Sequence, residues 1–209
     1  MTSTVGPTTV TLVRHLAVSS EVDGRCYGQR LDPGLADDAV PPAPQLSAVA
    51  HAAVRRTSPA TRARATAALI GGDPWTVDAA WAERDFGDWE GRRWDDCWAD
   101  VPAASLESAE AYLGFDPPGA EPYAEVAQRV AIALGMLPTA HHLIVTHAGP
   151  IRAALNAACG WSPDRVFATA VGHGGVVVLS HERDEWTARI GLPGTDEQDQ
   201  HPNPTTGPT

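Results

Sequence analysis

The sequence predicts a single α/β domain, built as a three-layer α/β/α sandwich around a mostly parallel central sheet. Short apolar runs rich in β-branched residues alternate along the chain with segments whose apolar residues recur at helical spacing. The 209 residues suit one domain with a sizeable core, and no internal repeat divides them. No apolar run is long enough to span a bilayer, and no charged-then-apolar signal sequence opens the chain.

The predicted elements follow one another in chain order. Residues 8–13 are rich in β-branched side chains and are predicted to form a short, buried first strand. A second strand is predicted at 53–57, and the Ser58-Pro59 pair then opens a helix. The remaining predicted elements are an edge strand at 75–78, an amphipathic helix at 122–137, a central strand at 142–146, a helix at 149–159 and a buried strand at 175–179.

The domain is predicted to cover residues 8–193. Residues 1–7 are small and polar, and we expect a flexible tail there. Residues 194–209 are rich in Pro, Thr, Asp and Gln without periodicity, which is typical of a disordered tail. Residues 92–119 are rich in Trp, Ala and Pro and interrupt the alternation of strands and helices. We interpret this segment as a helical insertion that lies over the functional site.

The composition restricts the partners and the compartment. The formal net charge is −11, and all fifteen basic residues are arginine, so neither nucleic acid nor an anionic membrane is an expected partner. Any anion site must therefore be a local pocket of positive charge. Cys26, Cys97 and Cys159 are odd in number and widely spaced, which indicates a reducing compartment and hence a cytoplasmic location.

The pair Arg14-His15 stands directly after the first predicted strand. The carboxyl end of a strand is where open α/β sheets usually bind their ligands. A guanidinium there can bind a phosphate bidentately, and an imidazole can attack it. Alone the pair is a weak signal, because a histidine at the end of a strand is more often structural.

Four later segments contain the other groups that a phosphoryl-transfer site needs. They are the glycine-bracketed loop 24–28 followed by Asp32, the helix start Ser58-Pro59-x-x-Arg62, the acidic and aromatic loop 83–91, and the strand 143–146 ending in His147-Ala148-Gly149. This ordered set resembles the histidine phosphatase superfamily, also called the phosphoglycerate mutase-like family, over about residues 12–179. Within it, the nearest resemblance is to the α-ribazole phosphatase-like branch.

The resemblance implies a phosphoglycerate mutase-like fold and a histidine acid phosphatase-type phosphoric monoester hydrolase. In matching positions, Arg14 and Arg62 bind the phosphate, His15 is the nucleophile, His147 completes the pocket and Glu83 is the proton donor. The residue types agree with these roles. Permanently charged guanidinium groups offset the charge of a phosphate dianion, and their repulsion keeps a nearby histidine neutral and nucleophilic. A carboxylic acid can protonate the departing alkoxide and then activate water.

Several positions have competitors. Arg64 competes with Arg62 for the phosphate, and Asp85 and Glu90 compete with Glu83 as the acid. Possible substrate-binding residues are Arg25, Tyr27, Trp94 and Ala148. The insertion also contains Trp98, Tyr112 and Phe115, which together with Trp94 could form an apolar wall beside the phosphate site. Such a wall favours a substrate with a flat group, such as an α-ribazole-like or another nucleoside-like phosphate.

Three positions depart from the pattern of the family. Most members have glycine after the first histidine and threonine two residues later, where this chain has Leu16 and Val18. Leu16 implies a narrower or re-angled pocket, because glycine allows a closer approach of the backbone to phosphate. Many members also have an asparagine where this chain has Glu21, and we expect that carboxylate to point outward.

The sequence therefore favours hydrolysis of a small soluble phosphate ester through a phosphohistidine, with no metal and no cofactor. A phosphoglycerate mutase-type phosphotransferase and a phosphate-binding module of the same fold without turnover are the alternatives. A metal-dependent hydrolase using His141, His142, His147 and nearby carboxylates is disfavoured, because adjacent residues of a strand point to opposite faces.

Overall fold

The computed structural model describes residues 7–39 and 44–192, and the predicted tails lie outside these ranges apart from Pro7. The described chain contains six strands and seven α-helices. They are β1 (Thr8–Arg14), α1 (Pro44–Ala52), β2 (Val54–Thr57), α2 (Thr61–Ile70), β3 (Thr76–Val77), α3 (Trp94–Ala99), α4 (Ala109–Leu113), α5 (Tyr123–Gly135), β4 (His141–Thr146), α6 (Ala148–Cys159), α7 (Pro163–Ala168), β5 (Val176–Glu182) and β6 (Glu185–Ile190). Within these ranges no helix is both long and apolar enough to cross a membrane.

The six strands form one sheet in the order β3-β2-β4-β1-β5-β6. The first four strands in this order are parallel, whereas β5 is antiparallel to β1 and β6 is antiparallel to β5. The prediction of a mostly parallel sheet is confirmed. Because β1 and β4 are parallel neighbours in register, Arg14 lies opposite Thr146 and both strands end at the same edge of the sheet.

Alternation along the central strands produces the three layers. Val10 and Leu12 face one side of the sheet, where they pack with residues of α5, α6 and α7. Val13 and Val145 face the other side, where they pack with residues of α1 and α2. The predicted α/β/α sandwich follows from these two apolar faces, since each must be covered by helices.

Three elements were not predicted from the sequence, namely α1, α7 and β6. The six residues of α7 are too few to show helical periodicity, although Ser162 caps its start by accepting from the N–H of Arg165 at 3.3 Å. The edge strand β6 pairs only with β5, and most of its residues are exposed, so it lacks a buried apolar run. These elements depend on tertiary pairing more than on local pattern.

Residues 92–119 contain α3, a short 3₁₀ turn at Ala103–Leu106 and α4. The aromatic side chains of this segment pack mainly on one another and around a small core of Cys26, Trp89, Cys97 and Val101. Tyr112 of α4 also meets the ring of Phe167 on α7, with the ring centres 5.8 Å apart. The segment is therefore attached to α7 through this aromatic contact.

Candidate active site

Two histidines meet where β1 and β4 end. His15 follows β1 directly, and His147 follows β4 as the residue that precedes α6. Their ring centres are 5.1 Å apart in an edge-to-face arrangement, and their side chains are almost fully buried. The parallel register of the two strands thus brings together the two histidines singled out in the sequence.

The His15 ring has a defined tautomer. Its Nδ1 lies 2.7 Å from the carbonyl oxygen of Leu16. A carbonyl only accepts, so Nδ1 holds the proton and donates it, and Nε2 keeps its lone pair when the ring is neutral. Burial holds the pKa of His15 well below its usual value, and the charges of Arg62 and Arg14 lower that pKa further. The ring is therefore neutral, with the lone pair of Nε2 available.

Arg62 lies at the base of the pocket and is fully buried. Its Nη1 donates to Asp32 at 2.9 Å, its Nη2 donates to the carbonyl of Gly28 at 2.8 Å, and its guanidinium lies 5.1 Å from the ring centre of Tyr27. Arg64, its competitor, is exposed. The loop 24–28 and Asp32 therefore fix the guanidinium of Arg62, and Tyr27 stands over it.

Arg14 is held by the loop that precedes β5. Its Nη1 donates to the carbonyl of Val171 at 2.8 Å, and its Nη2 lies 3.2 Å from Nε2 of His173. The Tyr27 hydroxyl is 3.3 Å from the same His173 nitrogen, and the rings of His173 and His15 have centres 5.2 Å apart. His173 is therefore part of the pocket.

His173 was missed in the sequence, although a signal for it exists. It stands in the run Gly172-His173-Gly174-Gly175 directly before β5. Because β5 is antiparallel to β1, its amino end lies beside the carboxyl end of β1. A glycine-flanked histidine before such a strand would have been a candidate, had the strand direction been known.

The pocket is strongly cationic in character. Burial, with Arg62 as the second cause, places the pKa of His147 well below its usual value. Burial together with Arg14 and Arg62 lowers the pKa of His173 to about 4. Burial and the two arginines together thus keep the surrounding imidazoles neutral, so the positive charge of the site lies on the guanidinium groups.

Buried donors without partners concentrate at this site. Among the described residues, five buried side-chain nitrogens lack a hydrogen-bond partner, and three of them are Nε of Arg14, Nε of Arg62 and Nδ1 of His147. The other ring nitrogen of His147, Nε2, lies 2.7 Å from the hydroxyl of Ser58. The N–H of Ala60 donates to the oxygen of the same hydroxyl. Buried unpaired donors are costly, and an anionic ligand would satisfy them.

Glu83 lies beside the start of α6. Its Oε1 accepts from the N–H of Arg84 at 3.0 Å, and its Oε2 lies 3.4 Å from the N–H of Gly149. A side chain at position 149 would overlap this carboxylate. The two competitors are engaged elsewhere: Asp85 pairs with Arg30 at 3.0 Å, and Glu90 accepts five backbone N–H groups.

The other predicted substrate-binding residues divide into two groups. Tyr27 contacts the pocket, and Ala148 begins α6 next to His147. Arg25 is exposed and donates to the carbonyl of Gly91 at 2.7 Å, and Trp94 stacks edge-to-face on Phe86 within the aromatic cluster. The structure does not bring Arg25 and Trp94 into contact with the histidines.

The residues that depart from the family pattern have structural partners. The Leu16 side chain is buried, and its backbone N–H donates to the hydroxyl of Thr66 at 3.0 Å. Val18 pairs with Leu35 in an isolated bridge, and Glu21 is exposed, as expected. A side chain at Gly174 would crowd Leu16, so Leu16 packs against the loop that presents His173.

The alternative metal site is not assembled. His141 and His142 begin β4, whereas His147 follows its end, and at roughly 3.3 Å per residue this separates the first and last by about 20 Å. His142 contacts Arg56 and the carbonyl of Pro138 instead. Residues 7–39 and 44–192 contain no cluster of three or more His, Cys, Asp or Glu side chains placed to hold a metal ion.

Solved structures share this fold. Protein TTHB049 from Thermus thermophilus is 27% identical with a TM-score of 0.66, covering 88% of this chain and all of its own. A mycobacterial glucosyl-3-phosphoglycerate phosphatase in complex with VO3 is 25% identical with a TM-score of 0.69, over 88% of this chain and 98% of its own. The α-ribazole phosphatase from Shigella flexneri, 21% identical with a TM-score of 0.70, covers 88% and 95% respectively.

A comparison with curated protein sequences gave no match. The model of the histidine phosphatase superfamily (branch 1), however, matches residues 10–190. This match spans all of the sheet except the first two residues of β1, and it includes His15, His147, both pocket arginines and Glu83. The chain therefore belongs to the histidine phosphatase superfamily.

Proposed function

We propose that this chain is a phosphomonoesterase that hydrolyses a small soluble phosphate ester through a phosphohistidine on His15. One observation carries the proposal: a neutral imidazole with Nε2 free lies beside one fully buried guanidinium, that of Arg62, and one partly buried guanidinium, that of Arg14. This combination both attracts a phosphate dianion and keeps the nucleophile unprotonated. Membership of the family and the likeness to a phosphatase in complex with VO3 support the same conclusion.

The first half of the reaction transfers the phosphoryl group to the enzyme. Arg14 and Arg62 bind the non-bridging oxygens, and His147 donates to one of them through Nδ1, the nitrogen that has no hydrogen-bond partner among the described residues. His15 Nε2 forms the N–P bond while the P–O bond to the leaving group breaks. Protonated Glu83 transfers its proton to the departing alkoxide, so the alcohol leaves neutral.

The second half restores the enzyme. Glu83, now a carboxylate, takes a proton from an incoming water as that water attacks phosphorus. The N–P bond breaks, its electron pair returns to His15 Nε2, and inorganic phosphate leaves. No further group is needed for the balance of atoms and charge.

The three free cysteines, Cys26, Cys97 and Cys159, support a reducing compartment such as the cytoplasm.

The leaving group is the less defined part of the substrate. The aromatic segment 92–119 supports a substrate with a flat portion, of which an α-ribazole-like or another nucleoside-like phosphate is an example. The four aromatic side chains of this segment pack on each other and on the rings of Phe86, Trp89 and Phe167, so only their exposed edges are free for a substrate. Trp98 is 43% exposed and offers the largest of these surfaces.

Trapping the intermediate tests the proposal. His15→Ala should lower kcat/KM for phosphomonoesters by at least ~10³-fold, because no other described nucleophile occupies this position. Wild-type protein mixed with substrate should yield an acid-labile phosphate on His15 that the variant lacks. The matched control is His181→Ala, since His181 lies on β5 stacked on Trp186 away from the pocket. Label on a serine or an aspartate would overturn the mechanism.

A further inference from the structure

The loop that precedes β5 is hydrogen-bonded to the end of β1. The N–H of Gly174 lies 3.1 Å from the carbonyl oxygens of both Arg14 and His15. The N–H of Arg14 in turn donates to the carbonyl of Gly175 at 2.9 Å. These contacts follow His173 directly along the chain, so the backbone holds the ring of His173 beside the pocket arginine.

Nε2 of His173 is a hydrogen-bond acceptor in this structure. It lies 3.2 Å from Nη2 of Arg14 and 3.3 Å from the hydroxyl of Tyr27. A guanidinium only donates, so Nε2 holds a lone pair and the proton of the neutral ring is on Nδ1. The tyrosine hydroxyl can also only donate to this nitrogen. Two donors therefore share one lone pair.

The contact with His173 uses the side of Arg14 on which the proposed function places the ligand. Nη1 of Arg14 donates to the carbonyl of Val171, whereas its Nε is buried without a partner among the described residues. Nε and Nη2 together form an edge of the guanidinium that can bind two oxygens of one phosphate. A phosphate bound at this edge places an oxygen next to Nε2 of His173. Both atoms would then be acceptors, and they would repel each other.

A proton on Nε2 of His173 removes this conflict. His173 is exposed, whereas the side chains of His15 and His147 are almost fully buried. Solvent can therefore supply a proton to His173. In the proposed function Nε2 of His15 must stay unprotonated to attack phosphorus. A charged His173 ring favours this state, because the centres of the two rings are 5.2 Å apart and like charges repel.

The groups that face His173 explain why its ring is neutral without a ligand. Burial, followed by the charges of Arg14 and Arg62, lowers the pKa of His173 to about 4. The other two facing groups are neutral, because burial lowers the pKa of His15 and raises that of Tyr27. A bound dianion offsets the charges of the two arginines. The pKa of His173 should then rise to its ordinary value of about 6.5 or above.

We propose that His173 is a further phosphate-binding residue, whose ring takes up a proton from solvent when a dianion binds and donates through Nε2 to a phosphoryl oxygen beside Arg14. The proposal rests on the proposed function, because that function makes Arg14 a phosphate ligand. The proton returns to solvent when inorganic phosphate leaves, so the overall reaction stays balanced. In the complex His173 is a third cation beside Arg14 and Arg62, and all three stabilise the charge of the transferring group.

NMR of the histidine rings, with sulfate as the ligand, tests the proposal. Sulfate is tetrahedral and stays a dianion at neutral and mildly acid pH, so it brings no proton of its own. Long-range proton–nitrogen spectra distinguish the two neutral tautomers from the charged ring. At about pH 5.5 we expect His173 to be neutral without sulfate, with its proton on Nδ1, and charged at saturating sulfate. A ring that stays neutral at saturation, or sulfate that does not bind at this pH, refutes the proposal.

The pH dependence of sulfate affinity gives an independent check. Proton uptake predicts that the Kd for sulfate falls by about 10-fold per pH unit as the pH decreases from about 6.5 to about 5. His173→Asn keeps a short side chain with a donor but cannot take up a proton, so its Kd should be nearly constant over this range. The same pH dependence in the wild type and in His173→Asn would show that another group takes up the proton, and the proposal would fail.

The matched control is His181→Asn. His181 stacks on Trp186 and pairs with Thr8 at the opposite end of β1 from the pocket. This variant should keep the pH dependence of the wild type. A pH dependence lost equally in His181→Asn would refute a specific role of His173.

Turnover separates this proposal from the proposed function. If the wild type binds sulfate with a charged His173 ring but hydrolyses no phosphate ester, the proposed function fails and the role of His173 in anion binding stands. If a phosphohistidine forms on His15 while His173 stays neutral in the sulfate complex, the proposed function stands and the role of His173 is refuted.

Discussion

Glu90 attaches the loop that carries Tyr27 and Gly28 to the rest of the domain. Its Oε1 accepts from the N–H of Gln29 at 3.0 Å and of Phe86 at 3.1 Å. Its Oε2 accepts from the N–H groups of Gly28, Arg30 and Leu31 at 3.1, 2.9 and 2.6 Å. An ionised carboxylate suits this position because it accepts only. In Glu90→Gln one oxygen becomes an NH₂ group that faces backbone donors.

The loss of stability can be worked out from these contacts. The amide will place its NH₂ where fewer donors point, which is toward the N–H groups of Gln29 and Phe86. Two hydrogen bonds to a charged group at the low end of their range amount to about 3 kcal/mol of unfolding free energy. For a domain of 150–250 residues this corresponds to a decrease in Tm of about 6–12 °C. The carbonyl of Gly28 also loses its fixed position against Arg62, so vanadate should bind more weakly.

Thermal unfolding followed by circular dichroism, with vanadate affinity measured by calorimetry, checks this prediction. Glu107→Gln is the control, because Glu107 is exposed and makes no side-chain hydrogen bond among the described residues. Its effect should stay within about 0.5 kcal/mol. A Glu90→Gln protein whose Tm and vanadate affinity match those of the control would show that the five contacts do not hold the loop, and the reasoning would fail.

The remaining predictions concern the histidines. The pKa values of His15, His147 and His173 are all lowered, chiefly by burial, so the unfolded chain binds more protons than the folded one below about pH 6.5. The unfolding free energy from urea titrations should therefore fall as the pH decreases from about 6.5 toward 4. His173→Asn should reduce the slope of unfolding free energy against pH, and an unchanged slope would contradict the lowered pKa of His173. Ser58→Ala should lower kcat by about 10-fold with little change in KM, because the contact of the hydroxyl with Nε2 orients the ring of His147. Steady-state kinetics at pH 7 measure this, and an unchanged kcat would show that Ser58 does not orient the ring.

The sequence predicted the parts of the fold and site that depend on local pattern. The buried runs of β1 and β4 are apolar and rich in β-branched residues, and a histidine follows each one directly. Carboxyl ends of parallel neighbouring strands share one edge, so His15 and His147 lie close together because β1 and β4 are such neighbours, as the resemblance to the family implied. The choice of Arg62 over Arg64 as the phosphate-binding residue depended less on local pattern. Both residues lie in the same turn of α2, and in the structure burial distinguishes them.

The parts that were missed depend on non-local geometry. His173 reaches the pocket only because β5 is antiparallel to β1, a direction that the apolar run itself does not reveal. The role of Glu90 depends on a loop more than fifty residues away, where the backbone N–H groups of 28–31 converge on one carboxylate.

The exclusive use of arginine as the basic residue fits the chemistry of this pocket. Arg62 is fully buried, and the Nε atom of Arg14 is also buried. The proposed function nevertheless requires both guanidinium groups to stay charged beside three imidazoles. Burial lowers the pKa of a lysine readily enough to neutralise it near pH 7, whereas a guanidinium starts from a much higher value and keeps its proton. Burial and these permanent cations together keep the imidazoles neutral. In the proposed function, the neutral nucleophile and the binding charge therefore both depend on these two side chains. An acidic chain with 26 carboxylates can therefore maintain a cationic pocket, because charge is fixed by burial and by specific partners rather than by the net charge of the molecule.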